Sequence, residues 1–508
     1  MKLKLSIWAV PMVILTLVLS ACGGAATPTG EATSAPAGEA TTPAEPAAGG
    51  EATATTAAEP AAGGEATPTP GVVFNEEAQP GQKTIVWMVR TGIEENTWEK
   101  SVVLPDFAKA KPDIFVKALS INQDDIAVKR EAMIAAKEPL HVWSTNWGGD
   151  GFASDRARGL ITDLTPLIER DKFDTSDYVP DVLKIYQSEG KTWGLPFLTT
   201  GTYIYYNKKL FDDAKVPYPP TDWDDASWTW DKYVETAKAL TQNYGDPNTA
   251  IYGARSVMYG NIEGVPSLWG KFVWPEDAYS TGYAAKIDLN NEQAIAAYQA
   301  MHDLTYVDKV APEPAASQAL DQLGGAFQTG RVAMWLEGGW GHWVFNKLID
   351  DPNGFCWGVA PLPMGSPDAK TRAVIYTDPW VITAGMDQEN TDLAWEFVKF
   401  LASAEQAAKY TETTGTPPTR TSLLKTYYDR FSKCMKPEEM KQVFEGAFSH
   451  GRESSNHLLV KWDELNQTWV NLMDPFWNDP EAKAADVLPE VETAVNDVLT
   501  KIIEESKQ

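Results

Sequence analysis

Residues 23–70 contain almost nothing that a folded protein could bury. They are nearly all Ala, Thr, Gly, Pro and Glu, and no aromatic residue occurs between Trp8 and Phe74. No lysine or arginine lies between Lys4 and Lys83. GEATTPAEPAAGG at 38–50 nearly repeats as GEATATTAAEPAAGG at 50–64. Such a segment cannot offset the entropy of ordering itself, and its repeat carries no apolar face to stack on a neighbour. It reads as a tether. Folded structure is thereby confined to the chain from about Lys83 onward, about 425 residues, which is longer than one hydrophobic core ordinarily spans. Two lobes are expected.

The residues before the tether say where the chain works. Lys2 and Lys4 precede an apolar run from Leu5 to Leu19, and small residues follow. These are the parts of a secretory signal. The alternative of an uncleaved membrane helix is poorer, because the run is short for a span and contains Pro11. The ending Leu19-Ser20-Ala21-Cys22 resembles the lipobox of bacterial lipoproteins, in which the cysteine is lipidated and becomes the first mature residue. That resemblance implies a signal peptide over 1–21, lipidation at Cys22 and a lipid-bearing tether over 22–82. The protein would then be held at the outer face of a membrane, in a periplasm or at the cell surface.

Charge and motif content exclude several classes. The chain has 70 acidic against 43 basic residues, a formal net charge of −27. Such a surface repels nucleic acid and anionic headgroups, so neither is expected as a partner. His141, His302, His342, His450 and His457 show no metal-ligand spacing, and no phosphate-binding or dinucleotide fingerprint occurs. No metal or cofactor is expected. Cys356 and Cys434 either form a bridge, which an exported chain permits, or remain two thiols. The 20 tryptophans, 18 tyrosines and 17 phenylalanines are many for this length. Several stand beside glycine, proline and carboxylates in stretches that read as loops, where a flat ring can face a ligand.

Along the folded part, Thr84–Val89 reads as a buried strand, with a helix over about 94–110 ended by Pro112. A strand at 114–119, a helix at 124–136 and a short strand at 142–144 follow. Strands alternating with helices predict an α/β lobe with a mostly parallel sheet, whose ligands sit beyond the carboxyl ends of strands. Arg90 and the loop Trp147-Gly148-Gly149-Asp150 fall at such ends. A break at 193–197 precedes a new strand at 203–207. Helices are expected at 228–240, near 267–273 and at 291–306, and strands near 251, at 355–361 and at 372–382. A strand followed by a glycine turn is read within 330–340. The clearest helix is 390–410, with Leu393, Phe397 and Leu401 on one stripe. Thr414–Pro418 breaks the chain again, and an amphipathic helix near 491–503 closes it.

Six segments carry a resemblance: YIYYNKKLF at 203–211, AFQTGRVAMWLEGGWGHW at 326–343, VAPLP at 359–363, DPWVITAG at 378–385, VKFLAS at 398–403 and TGTPPTR at 414–420. Their order resembles the family 1 extracellular solute-binding proteins, the binding subunits of ABC importers for sugars, over roughly residues 83–505. The resemblance implies a two-lobe periplasmic-binding-protein fold of type II. Each lobe would be a mostly parallel sheet flanked by helices, with the ligand in the cleft between. Lobe 1 would comprise 83–199 with about 380–415, and lobe 2 would comprise 203–377 with about 418–508. Hinge crossings would lie near 196–203, 377–380 and 415–418. A small neutral carbohydrate, the importer's membrane permease and the membrane itself, reached through the lipid on Cys22, are the implied partners of a monomer that catalyses no reaction. Closure would be a population shift set by the guest's preference for the closed form.

The resemblance places Trp147 and Asp150 in a first-lobe sugar loop, Trp340 on the second-lobe wall and Trp380 on a crossing strand facing the cleft. Sugars need flat rings for their C–H faces and carboxylates or arginine for their hydroxyls. Glu337, Asp378, Arg90 and Arg420 are therefore ligand candidates as well. Trp269, on a helix with Phe272 and Val273, reads first as core and second as a residue reaching the cleft. Two other functions compete: a secreted glycoside hydrolase or lyase, which needs two carboxylates about 5–9 Å apart, and a surface adhesin that holds polymer without uptake.

Overall fold

The computed structural model describes residues 77–91, 93–147, 150–256 and 262–507. Cys22, the signal segment and the tether lie outside the described residues.

The first strand, Lys83–Arg90, pairs in parallel with Ile114–Ile121, register Lys83↔Ile114 to Arg90↔Ile121, and with the short strand Val142–Trp143 through Trp87↔Val142. Its last six residues are all buried, as a parallel strand covered on both faces requires. The helix expected over 94–110 is one run in three parts: Ile93–Trp98, a π-turn Glu99–Val103, and Leu104–Ala110. Pro105 explains the widening, since it has no N–H to give the preceding turn. The helix Gln123–Ala136 completes this alternation.

Two long strands join the halves of the molecule. Leu195–Asn207 and Ala373–Ile382 run antiparallel, paired from Ile375↔Gly201 to Trp380↔Leu195. The register shifts between Asp378 and Pro379, where Pro379 stands opposite Pro196. A ladder cannot continue regularly across two residues that lack N–H groups. The chain break expected at 193–197 is therefore a correction: the strand is continuous over 13 residues, all buried. Across the sheet the strands run 114–121, 83–90, 142–143, 373–382, 195–207, 332–338 and 252–256. Gly451–Glu453 lies beside Ala373–Ile382 and Trp357–Ala360 beside Leu195–Asn207.

Two hydrophobic cores lie along this sheet. The first gathers Trp87, Trp98, Trp143, Leu195, Phe197, Trp380, Trp395 and Phe397. The second gathers Tyr203–Tyr206, Phe211, Trp357, Phe444, Trp469 and Leu488. Each long strand starts in one core and ends in the other. The aromatic surplus serves these cores: thirteen of the 20 tryptophans are buried. Few are left to line a cleft.

Local chemistry sets the remaining boundaries. The expected helix 390–410 is two helices, Gln388–Leu401 and Ala404–Thr414, because the Ser403 side chain accepts from Gln406 N–H and starts the second; serine is a strong N-cap. Helix Trp230–Leu240 is capped by Thr229 in the same way. Cys356 and Cys434 form a disulfide with a Cα separation of 5.2 Å, tying strand Trp357–Ala360 to the turn after helix Thr421–Arg430. Among the described residues no helix is long and apolar enough to cross a membrane.

Candidate functional site at the strand crossing

Where the long strands pass between cores, side chains from four separate segments meet. Asn146 and Trp147 follow the short strand Val142–Trp143. Asn146 donates through Nδ2 to the Thr377 carbonyl at 2.5 Å and to the Tyr186 hydroxyl at 2.9 Å, while its Oδ1 accepts from Phe152 N–H at 3.2 Å. The Trp147 indole N–H donates to Asp378 Oδ2 at 3.0 Å. The Arg90 guanidinium lies 5.2 Å from the Trp147 ring centre. One chain of contacts thus joins a strand end, a glycine loop and a crossing strand.

Aromatic rings and carboxyl groups form the other side. Tyr376, two residues before Asp378, meets Trp340 edge-on at 5.0 Å and His457 at 5.8 Å. Both Trp340 and Tyr376 are half-buried. The Leu336-Glu-Gly-Gly-Trp340 turn has its glycines for a steric reason. A Cβ on Gly338 would stand 2.3 Å from the Trp340 ring, and one on Gly339 would stand 1.6 Å from Thr200 Oγ1. The ring folds back over its own turn, and the turn abuts the crossing strand.

Burial disfavours the charged form of the acids here. Burial pushes Glu337 up to about 7, against the pull of Gly338 N–H and the Trp340 indole. Burial, and then the charge of Asp378, raises Glu453 well above the carboxylate range. Burial lowers His457 to about 4. Glu453 Oε1 is hydrogen-bonded to His457 Nδ1, and burial disfavours the charged form of each. Glu263, also raised by burial, accepts from Ser454 Oγ and Ser455 N–H at 2.9 Å each and fixes the segment that carries both. The arrangement presents half-buried rings flanked by hydrogen-bonding acids and an arginine. Rings of this kind can stack on C–H faces, and such polar groups can pair with hydroxyls.

Six of the residues expected from sequence belong to this group or touch it: Arg90, Trp147, Asp378, Glu337, Trp340 and, through the same loop, Asp150. Their surroundings differ from expectation. Trp147 is only 2% exposed, its ring edge-on to Phe197 at 5.9 Å and Trp380 at 5.8 Å. It is a wall set into the first core. Asp150 has both carboxylate oxygens engaged, with Ser154 Oγ at 2.9 Å and Asp463 N–H at 3.1 Å.

Two expectations are corrected, and Trp269 takes the first of its two readings. Trp380 does not face a cleft. It is 1% exposed, stacked on Phe197 at 3.9 Å and edge-on to Trp87, because this end of the strand already lies inside the first core. It supports Trp147 from beneath. Arg420 lies over the Tyr178 ring at 4.4 Å and bonds Asp177 and the Ala402 carbonyl, pinning the third crossing to a neighbouring turn. Trp269 packs on Trp230 at 5.1 Å and over Gly365, where a Cβ would meet its ring at 2.2 Å. It is a second-core residue.

Sequence reasoning missed Asn146, Tyr186, Tyr376, Glu453 and His457. Strand alternation could have found Tyr376, which shares a face with Asp378. Glu453 and His457 carry an i, i+4 spacing, but the segment holding them reads as featureless between two helices. Among the described residues no cluster of three or more His, Cys, Asp or Glu could hold a metal ion.

Comparison with known proteins bears on this geometry. Residues 103–431 match the family described as bacterial extracellular solute-binding protein. A binding protein of Brucella abortus is 26% identical over 272 residues, 53% of this chain and 56% of that one, so the chain spans about half the length of the first curated relatives it matches. The arabinooligosaccharide-binding protein of Bacillus subtilis is 24% identical over 65% of this chain and 67% of its own. Among solved structures, an ABC substrate-binding protein of Listeria monocytogenes in complex with cycloalternan superposes with a TM-score of 0.66 at 21% identity, covering 82% of this chain and 99% of that one. UgpB of Mycobacterium tuberculosis, in complex with glycerophosphocholine, gives 0.67 at 17% identity over 83% and 100%. At such identities the structures show a shared fold, that of substrate-binding proteins. With a family match over more than half its length and this architecture, the chain belongs to the bacterial extracellular solute-binding protein family.

Proposed function

We propose that the protein captures a neutral sugar or oligosaccharide at the strand crossing and delivers it to the permease of an ABC importer, without chemical change to the guest. The carrying observation is the group at the crossing: half-buried Trp340 meets Tyr376, Tyr376 meets the His457 ring that bonds Glu453, and Asp378, two residues after Tyr376, is held by the Trp147 indole beside Arg90. The arabinooligosaccharide-binding and galactooligosaccharide-binding relatives of Bacillus subtilis support that class of guest. In this reading the two cores are lobes, 83–199 with 380–415 and 203–377 with 418–508, which close on the guest as a monomer. Cys22 carries the lipid that keeps the exported protein at the outer face of the membrane.

A thermal-shift screen with arabino-, galacto- and malto-oligosaccharides tests this. A guest at a hundred times its Kd adds about 2.7 kcal/mol to folded-state stability. Mass spectrometry of the recovered sugar should find it intact. Turnover would favour a hydrolase or lyase, and no shift with any member of the panel would remove the carbohydrate assignment.

A further inference from the structure

We propose that Asp150 and Ser154 latch the two cores together by capping the helix Trp462–Asn478, and so set how readily the site closes. This rests on the reading that the cores move about the crossing strands. The helix has 17 residues, and its first amides need acceptors from outside. Lys461, at its N-cap position, has a left-handed backbone with φ of 56° and supplies no side-chain cap. Its ammonium is turned away to Glu505. The cap comes instead from the other core, 313 positions earlier in the chain.

Two acceptors provide it. Asp150 Oδ1 accepts from Asp463 N–H at 3.1 Å. Asp150 Oδ2 accepts from Ser154 Oγ at 2.9 Å, and Ser154 Oγ in turn accepts from Lys461 N–H at 3.3 Å. A carboxylate at the amino end of a long helix is doubly favoured, by the hydrogen bond and by the helix dipole. The neighbouring contact is backbone to backbone. A Cβ on Gly151 would stand 2.0 Å from the Asn456 carbonyl oxygen. Only glycine lets helix Phe152–Ala157 approach helix Ser455–Leu458 so closely.

The latch joins the two segments that build the site. Asp150 follows Trp147 in the first-core loop, while Glu453 and His457 precede Lys461 in the second-core segment. Separating the cores strips the helix of its cap and returns its first amides to water. Burial, and then the charge of Asp150, raises the Asp463 carboxyl at this contact. Two acids crowd the contact that one of them makes.

Small-angle scattering of unliganded Asp150→Ala and Gly151→Ala tests the latch by two different chemistries. Gly151 has φ of −95°, which alanine adopts freely, so that change acts through the backbone contacts with Asn456 and His457. Both variants should have a larger radius of gyration than the parent without sugar. Both should bind the best sugar of the oligosaccharide panel about tenfold more weakly, with the unliganded melting temperature nearly unchanged. Variants as compact as the parent would overturn the latch. So would expansion matched by an equal loss of melting temperature, which would mark a folding role. If no sugar of the panel binds the parent, the function proposed above fails, while the scattering comparison still decides the latch.

Discussion

Trp147→Ala is expected to lower the unfolding free energy of the unliganded protein by about 3–5 kcal/mol, the usual range for deleting a fully buried large aromatic side chain. The indole is enclosed by Phe197, Trp380 and the Arg90 guanidinium, so truncation leaves a cavity no neighbour can fill. It also removes the N–H that satisfies Asp378 Oδ2, on a residue only 7% exposed. Trp147→Phe separates the two effects: it keeps most of the ring volume and should cost about 1–3 kcal/mol, mainly for the lost donor. Urea denaturation without sugar measures both. A Trp147→Ala protein with parental stability would show that the ring is not part of the first core. Sugar affinity should fall as well, since the indole fixes the Asp378 carboxylate in the proposed site.

Glu337→Gln should stabilise the protein at pH 8 by about 3 kcal/mol and leave it unchanged near pH 4.5. The sign follows from proton binding. Burial holds the folded-state carboxyl up to about 7, from an ordinary value of 4.5. Below the lower value both states are protonated. Between the two, the folded state keeps a proton that the unfolded state has released, so stability falls as pH rises and levels off above about 7. Glutamine has no proton to lose, and its Oε1 can still accept from Gly338 N–H, as the acid does at 2.9 Å. Urea midpoints for parent and variant at pH 4.5 and pH 8 provide the check. A difference that is the same at both pH values would mean that the Glu337 carboxyl titrates like an exposed one.

Much of the fold was legible because local rules governed it. Lys83–Arg90 announced itself as an uninterrupted apolar run, and its parallel partner followed after a helix, as the alternation implied. Helix Gln388–Leu401 showed its stripe of Leu393, Phe397 and Leu401. The boundaries that failed were set by single residues whose effect is steric or donor-related. Pro196 was read as a break, yet inside a long strand it only shifts the ladder opposite Pro379. Ser403 was read as helix interior, yet its hydroxyl starts a new helix. The pairing of Cys356 with Cys434 could not be read from spacing, because 78 residues of intervening chain say nothing about distance.

The site divides in the same manner. The family resemblance turned Trp147 and Trp380 toward a guest. Their burial depends on Phe197, Trp87 and Phe397, which arrive from distant segments and close the first core around them. Glu453 and His457 acquire their chemistry only from being enclosed with Asp378, since neither would be displaced from its ordinary protonation in water.

Composition and periodicity by themselves determined that residues 23–70 offer nothing to bury and that the chain beyond about Lys83 alternates strand with helix. Those properties belong to short stretches of chain and survive without neighbours. Which tryptophans become walls and which become core, which acids burial raises, and that Asp150 caps a helix 313 positions away were decided by the tertiary structure. Burial and long-range hydrogen bonds are properties of the enclosure, and they exist only once two cores have formed around a shared pair of strands.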